Sequence, residues 1–247
     1  MEVIPARVFN GLFVWLDIAF LIIFAIILIY TKRYIAGIVG LLGGILYFIV
    51  DYGIFFLALG TRVVTGADTF WLLLWMSMSY GFTNFVWIWL WLDRDGHTFE
   101  WSLLILAGWL SVALLSQNFG ASFSLITTTR GTGSYHGVMA LILFIGYAIL
   151  IVKNIHGKEK INIPWILAIG ILVQFAWEAV LLISGVRFQG GAEGVNLLPL
   201  IVNSLIETNM GVPVLYLMHR AATKRWREDL TPTPLYEEKR KKAAQMA

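Results

Sequence analysis

Seven long runs of hydrophobic positions succeed one another along the chain, at residues 9–30, 34–60, 69–92, 101–119, 137–153, 163–186 and 196–219, with short polar connections between them. A helix rises about 1.5 Å per residue and the hydrocarbon core of a bilayer is about 30 Å thick, so each run is long enough to cross it, the fifth only just. The pattern predicts an all-α, polytopic membrane protein. A single seven-helix transmembrane domain fills residues 1–219, and a basic tail occupies 220–247. The first run has no basic leading region and no small-residue cleavage site, so it reads as a retained helix rather than a signal peptide.

Composition agrees. Hydrophobic residues make up 59% and charged residues 13% of the 247, far from the balance of soluble domains. No cysteine is present, which excludes disulfides, thiolate metal sites and cysteine nucleophiles. The net charge of +3 is small, but its distribution is uneven. Counting alternate loops puts fourteen of the 18 lysines and arginines on one side, leaving Arg7, Arg62, Arg130 and Arg187 on the other. The positive-inside rule then places the N-terminus outside and the tail in the cytoplasm of a multi-pass cell-membrane protein, inner or plasma. The tail, with KRKK at 239–242, serves as a topology anchor and flexible end or contacts lipid headgroups.

Polar residues punctuate the apolar runs in an order that occurs twice. Runs two and three carry Gly44-Ile45-Leu46, Asp51, Arg62, Thr83-Asn84 and Arg94. Runs six and seven carry Gly170-Ile171-Leu172, Glu178, Arg187, Thr208-Asn209 and Arg220. The arginine-to-asparagine interval is 22 residues in both, and the acid-to-arginine interval is 11 against 9. This series predicts two parallel three-helix repeats, about 9–92 and about 137–219, joined by a linker helix at about 101–119. The 3+1+3 plan resembles the SWEET sugar-efflux and nicotinamide-riboside permease families, and Ala67-Asp68, Met76-Ser77 and Tyr80-Gly81 form a local echo of the second. The resemblance implies a central substrate cavity.

Four carboxylates fall inside the predicted spans: Asp17, Asp51, Glu178 and Glu207. A charged side chain at a helix centre costs about 2.5–3.5 kcal/mol or more, so each is read first as functional. Counted from the outer end of its helix, each lies about 12–16 Å deep, which puts all four in one slab under a cavity open to the outside. Packing against the Ser, Asn or Trp N–H of a neighbouring helix would also account for them. Arg62, Arg130 and Arg187 form an arginine-only rim above, suited to a ligand's carboxylate or phosphate or to pairing with the acids below. Asn84 and Asn209 are expected to hydrogen-bond a ligand near the midplane. Gln174 stands one turn before Glu178 and Asn203 one turn before Glu207, giving two amide–carboxylate pairs. Among the 11 tryptophans, Trp71 and Trp91 fit interfacial belts, while Trp75 lies deeper and Trp177 sets an aromatic wall beside Glu178.

No metal-binding motif and no glycine-rich phosphate loop occurs, so neither a metal nor a cofactor is expected. The expected partners are membrane lipids and a small-molecule or lipidic substrate, not nucleic acid. Gly40 with Gly44 and Gly133 with Gly137 suit close helix packing and leave a homo-oligomer open. The connection at 118–137, rich in Ser, Thr and Gly, reads as a lid over the cavity. Its His136 has no Gly-x-Ser-x-Gly elbow to activate.

Two functions follow. The first is a transporter of a small polar solute, whose acids bind a cationic group or a coupling proton while the arginines draw an anionic one. The second is an intramembrane enzyme, an acid-catalysed cyclase or isomerase of a lipidic or isoprenoid substrate, with Glu178, Glu207 and Asp51 as catalytic residues. Phe175-Ala176-Trp177-Glu178 resembles a segment of the seven-helix fungal meroterpenoid cyclases, which implies an essential acid at Glu178 joined by Glu207. That segment lies in the second helix of the family and in the sixth here. A transporter needs a polar exit through the inner halves of the helices, which are nearly all apolar; a cyclase needs a lipid-facing portal and an aromatic pocket.

Overall fold

The computed structural model describes residues 6–131, 135–157, 160–188 and 197–230, with backbone alone for Ala6, Arg130, Phe188, Leu198, Pro199 and 224–230. Helix α1 spans Gly11–Tyr30 and α2 Tyr34–Phe48, continued by a π-helical stretch at Ile49–Ala58. They are followed by α3 (Thr69–Leu92), α4 (Thr98–Phe119), α5 (His136–His156), α6 (Ile163–Ile183), α7 (Leu198–Ile206) and α8 (Val212–Leu230). Gly11–Tyr30, Tyr34–Ala58, Thr98–Phe119, His136–His156 and Ile163–Ile183 are long and apolar enough to cross a membrane. They turn aliphatic and aromatic side chains away from the protein, as Ile22, Ile26 and Ile29 do on α1 and Leu141 and Phe144 on α5. The result is a helical, membrane-embedded protein.

Local chemistry sets the helix starts. Asn10, Asp68 and Asn162 each accept the backbone N–H three residues on, capping α1, α3 and α6. Helix α3 is the central post: Leu73, Met76, Ser77, Tyr80, Asn84 and Ile88 are all buried. Trp, Tyr, Ser, Thr and Asn replace much of its aliphatic content, which keeps it out of the five most apolar helices although its 24 residues are ample in length. It meets α2 backbone to backbone. A Cβ on Gly81 would stand 2.8 Å from the Cα of Gly44, and one on Gly43 would strike the Phe85 ring.

The chain is mostly helical, as expected, and four details differ from the sequence expectation. First, strands β1 (Ala6–Asn10), β2 (Arg62–Thr65), β3 (Leu125–Arg130) and β4 (Arg187–Phe188) form an antiparallel sheet in the order β2-β3-β1-β4. It lies across one end of the bundle, and the connection read as a lid supplies β3 from its β-branched run Ile126-Thr127-Thr128-Thr129. Second, the run at 196–219 is two helices, because residues 207–211 form a turn between α7 and α8. Third, the second run is π-helical from Ile49 on, so Asp51 leaves the α-helical register. Fourth, α8 continues to Leu230, through the expected boundary at Arg220. At the end opposite the sheet, Arg33 donates twice to Asp95 (2.9 and 3.1 Å) and His219 Nε2 lies 2.7 Å from Asp93. The KRKK segment, Lys158 and Gly133 lie outside the described residues.

Candidate functional site

Each strand of the sheet carries one arginine. Arg7 stands opposite Arg187 across β1 and β4, and Arg62 opposite Arg130 across β2 and β3. Alternation turns Arg7 and Arg62 toward the bundle, and Arg7, Arg62 and Arg187 are all buried. Arg62 donates through Nε (2.9 Å) and Nη2 (2.5 Å) to Asp51 Oδ1, and its guanidinium lies 4.4 Å from the centre of the Phe55 ring. Arg187 forms an ion pair with Glu178 through Nη2 and Oε2. Both acids are therefore charge-compensated from the strand that follows their own helix. Both side chains are buried.

Glu178 anchors a wider network. Gln174 Nε2 donates to both Glu178 Oε1 (3.4 Å) and Glu207 Oε2 (3.3 Å), while its own carbonyl accepts from the Thr208 hydroxyl. Asn203, expected beside Glu207, instead donates to Glu178 Oε1 at 3.2 Å. Glu207 keeps its helical relation to Asn203, its N–H donating to the Asn203 carbonyl at 2.9 Å, so only the Asn203 side chain turns away, to α6. Tyr47 of α2 reaches this cluster with its hydroxyl 3.5 Å from that of Thr208. Asn209 accepts from the Tyr147 hydroxyl (2.6 Å) and donates to Leu205 O. Asn84 is fully buried, and neither its Nδ2 nor its Oδ1 has a partner among the described residues.

Asp17 belongs to a different place. It is buried on α1, accepts from the Trp75 indole N–H at 2.9 Å and from Ser79 one turn further along α3, and has no cation beside it among the described residues. Two voids of about 20 and 10 Å³, each room for about one water, adjoin it beneath the sheet. Phe13 and Trp177 line both, Arg7 and Tyr80 line the first, and Asp17 and Trp109 the second. The Trp109 and Trp177 rings lie 4.6 Å apart, and the Arg7 guanidinium is 6.0 Å from the Trp177 ring. On its other side Trp75 lines a groove of about 570 Å³ between α1 and α3 that opens at the side of the bundle. Its surface is mostly apolar, with Trp15, Trp71, Leu21 and Met78 among the walls.

No protein-family model, no curated protein and no solved structure matches this chain. The site is therefore read from its own geometry.

The expected residues fall into three groups. Gln174, Glu178, Arg187, Asn203 and Glu207 come together, Asp51 and Arg62 form a separate corner, and Asp17 shares the aromatic voids with Trp177. Asn209 borders the first group through Gly170, whose Cβ would lie 2.4 Å from Asn209 Oδ1, and Arg130 is placed by its backbone alone. Sequence reasoning left out Arg7, Ser79, Tyr47 and Thr208. The i, i+4 spacing of Trp75 and Ser79 was the available signal for the Asp17 cradle. Among the described residues no three His, Asp or Glu side chains gather closely enough for a metal.

Proposed function

We propose that this chain is an intramembrane enzyme that takes an apolar, isoprenoid-like substrate from the bilayer and isomerises or cyclises it by proton transfer from a carboxylic acid. One observation carries the reading: Trp75 lines the groove between α1 and α3, and behind Trp75 stands Asp17, an acid with no cation beside it among the described residues. An unpaired ionised carboxylate in a low-dielectric interior is costly, whereas a carboxylic acid there is a proton donor. Asp17 hands its proton to an alkene carbon, the ring closes on the resulting cation, and a proton lost from a neighbouring carbon returns to the carboxylate. The acid exchanges that proton with water before the next turnover. Phe13, Trp109 and Trp177 line the small void at Asp17, so in this scheme Trp75 swings aside to join that void to the groove, and the three rings then stabilise the cation. Glu178 and Asp51, compensated by arginine, hold the sheet in place in this scheme.

The same proposal counts α3 as a span and α7 with α8 as one broken span, giving seven. It orients the sheet outward and relates the Asp51–Arg62 and Glu178–Arg187 corners as parallel repeats. The arginine-only composition of the sheet end and the ordered series of polar residues support this.

A second reading, transport of a small polar solute, is favoured by the break at 207–211, where Glu207, Thr208 and Gln174 meet between two half-helices. Native mass spectrometry of what co-purifies with wild type and with Asp17→Asn separates the two. The enzyme reading predicts a lipidic molecule that accumulates unconverted in the variant. A water-soluble solute that is lost with Glu207→Gln and taken up by proteoliposomes would replace it with transport.

A further inference from the structure

The groove between α1 and α3 carries information about the head of its ligand, an inference that rests on the groove being the entry proposed above. Asp68 is the one charged side chain that lines it among the described residues. Its Oδ1 caps α3 through the Trp71 N–H at 3.0 Å, and no hydrogen bond reaches its Oδ2 among the described residues. Among the strand arginines whose side chains are described, none neutralises it, because Arg7, Arg62 and Arg187 are buried in the bundle. Beside Asp68, Trp15 and Trp71 are 65% and 67% exposed, so neither ring is consumed in packing. A carboxylate flanked by open indole faces complements an ammonium group, which gains from the ring quadrupole and from the charge together. It disfavours a phosphate or sulfonate head.

We infer that the groove binds an amphiphile with an ammonium head, held at Asp68, Trp71 and Trp15, and an apolar chain laid along α3. Trp75 lies seven residues beyond Asp68, about 10 Å along the helix, so the chain passes Asp17 roughly that far from its head. Head and reacting bond are thus recognised by different residues, and the head fixes which part of the chain meets the acid.

Binding of dodecyltrimethylammonium and of dodecanesulfonate, each below its micellar concentration, is compared by tryptophan fluorescence of the full chain in maltoside. The cation is expected to bind about tenfold more tightly than the sulfonate. Asp68→Asn keeps a good helix cap and removes only the charge, and it is expected to bring the two probes to parity with unchanged thermal unfolding. Asp68→Ser, a second capping variant, guards against a local folding defect. Parity in wild type, or a preference that survives both variants, overturns the inference and leaves the tryptophans as interfacial anchors only. Parity of the two probes in a wild type that turns over isoprenoid overturns this inference alone. A clear preference in a wild type that converts no isoprenoid overturns the enzyme reading alone.

Discussion

Asp51 and Glu178 are each gripped by the arginine of the strand that follows their helix, yet beyond that ion pair the two corners diverge. Around Asp51 the helix runs on from α into π geometry, α2 lies on α3 glycine to glycine, and the later asparagine, Asn84, is buried without a partner among the described residues. Around Glu178 two amides share the acid's charge, α7 and α8 are parted by a turn at 207–211, and the later asparagine, Asn209, is held by Tyr147. One pattern of residues has been put to two uses. The first corner is a rigid clamp, while the second has polar groups in hand where its backbone is interrupted.

The largest effect expected from this difference concerns the clamps. Arg62→Met leaves Asp51 without its Arg62 partner and is expected to cost about 3–5 kcal/mol of stability, read as unfolding in mixed micelles. Arg187→Met should cost less, because Gln174 and Asn203 still donate to Glu178, and adding Glu178→Gln should restore most of the loss. Equal losses at the two arginines would erase the distinction.

A smaller effect follows at the helix crossings. Gly81→Ala drives a methyl into the backbone of Gly44, which has nowhere to go, and should cost about 1–3 kcal/mol. Gly170→Ala meets a side chain, Asn209, which can swing aside at the expense of the Tyr147 hydrogen bond. It should therefore cost less than Gly81→Ala in the same unfolding assay.

The asparagines give the smallest effect and the sharpest sign. Asn209→Leu forfeits a made hydrogen bond worth about 1 kcal/mol, whereas Asn84→Leu removes unmet polar groups and should be neutral or stabilising. Destabilisation by Asn84→Leu matching that of Asn209→Leu would mean that Asn84 is bonded as well as its counterpart.

How far the chain announces this arrangement depends on the residue. The recurring acid and arginine set both clamps in view, since an arginine-only rim above buried acids has pairing as one of its two outcomes. The strands were less legible: β1, β2 and β4 have two to five residues, too few to show a period, although the Ile126–Thr129 run carried a strand signal. The break at 207–211 is set by residues that also occur inside helices, with Gly211 and Pro213 the only hints. The groove was out of reach, because Trp15, Asp68, Trp75 and Ser124 come from distant parts of the chain and only tertiary packing assembles them. Asn203 shows the opposite failure: its helical spacing to Glu207 was sound, and its side chain turned to Glu178 instead.

The central claim is that Asp17 passes a proton to an apolar substrate. The direct test incubates the protein with isoprenoid substrates of graded chain length in D₂O and follows deuterium in the recovered lipid by mass spectrometry. The account predicts an isomeric product carrying one solvent-derived deuterium per turnover with wild type and none with Asp17→Asn. Product formed without deuterium, or formed equally by Asp17→Asn, would contradict it.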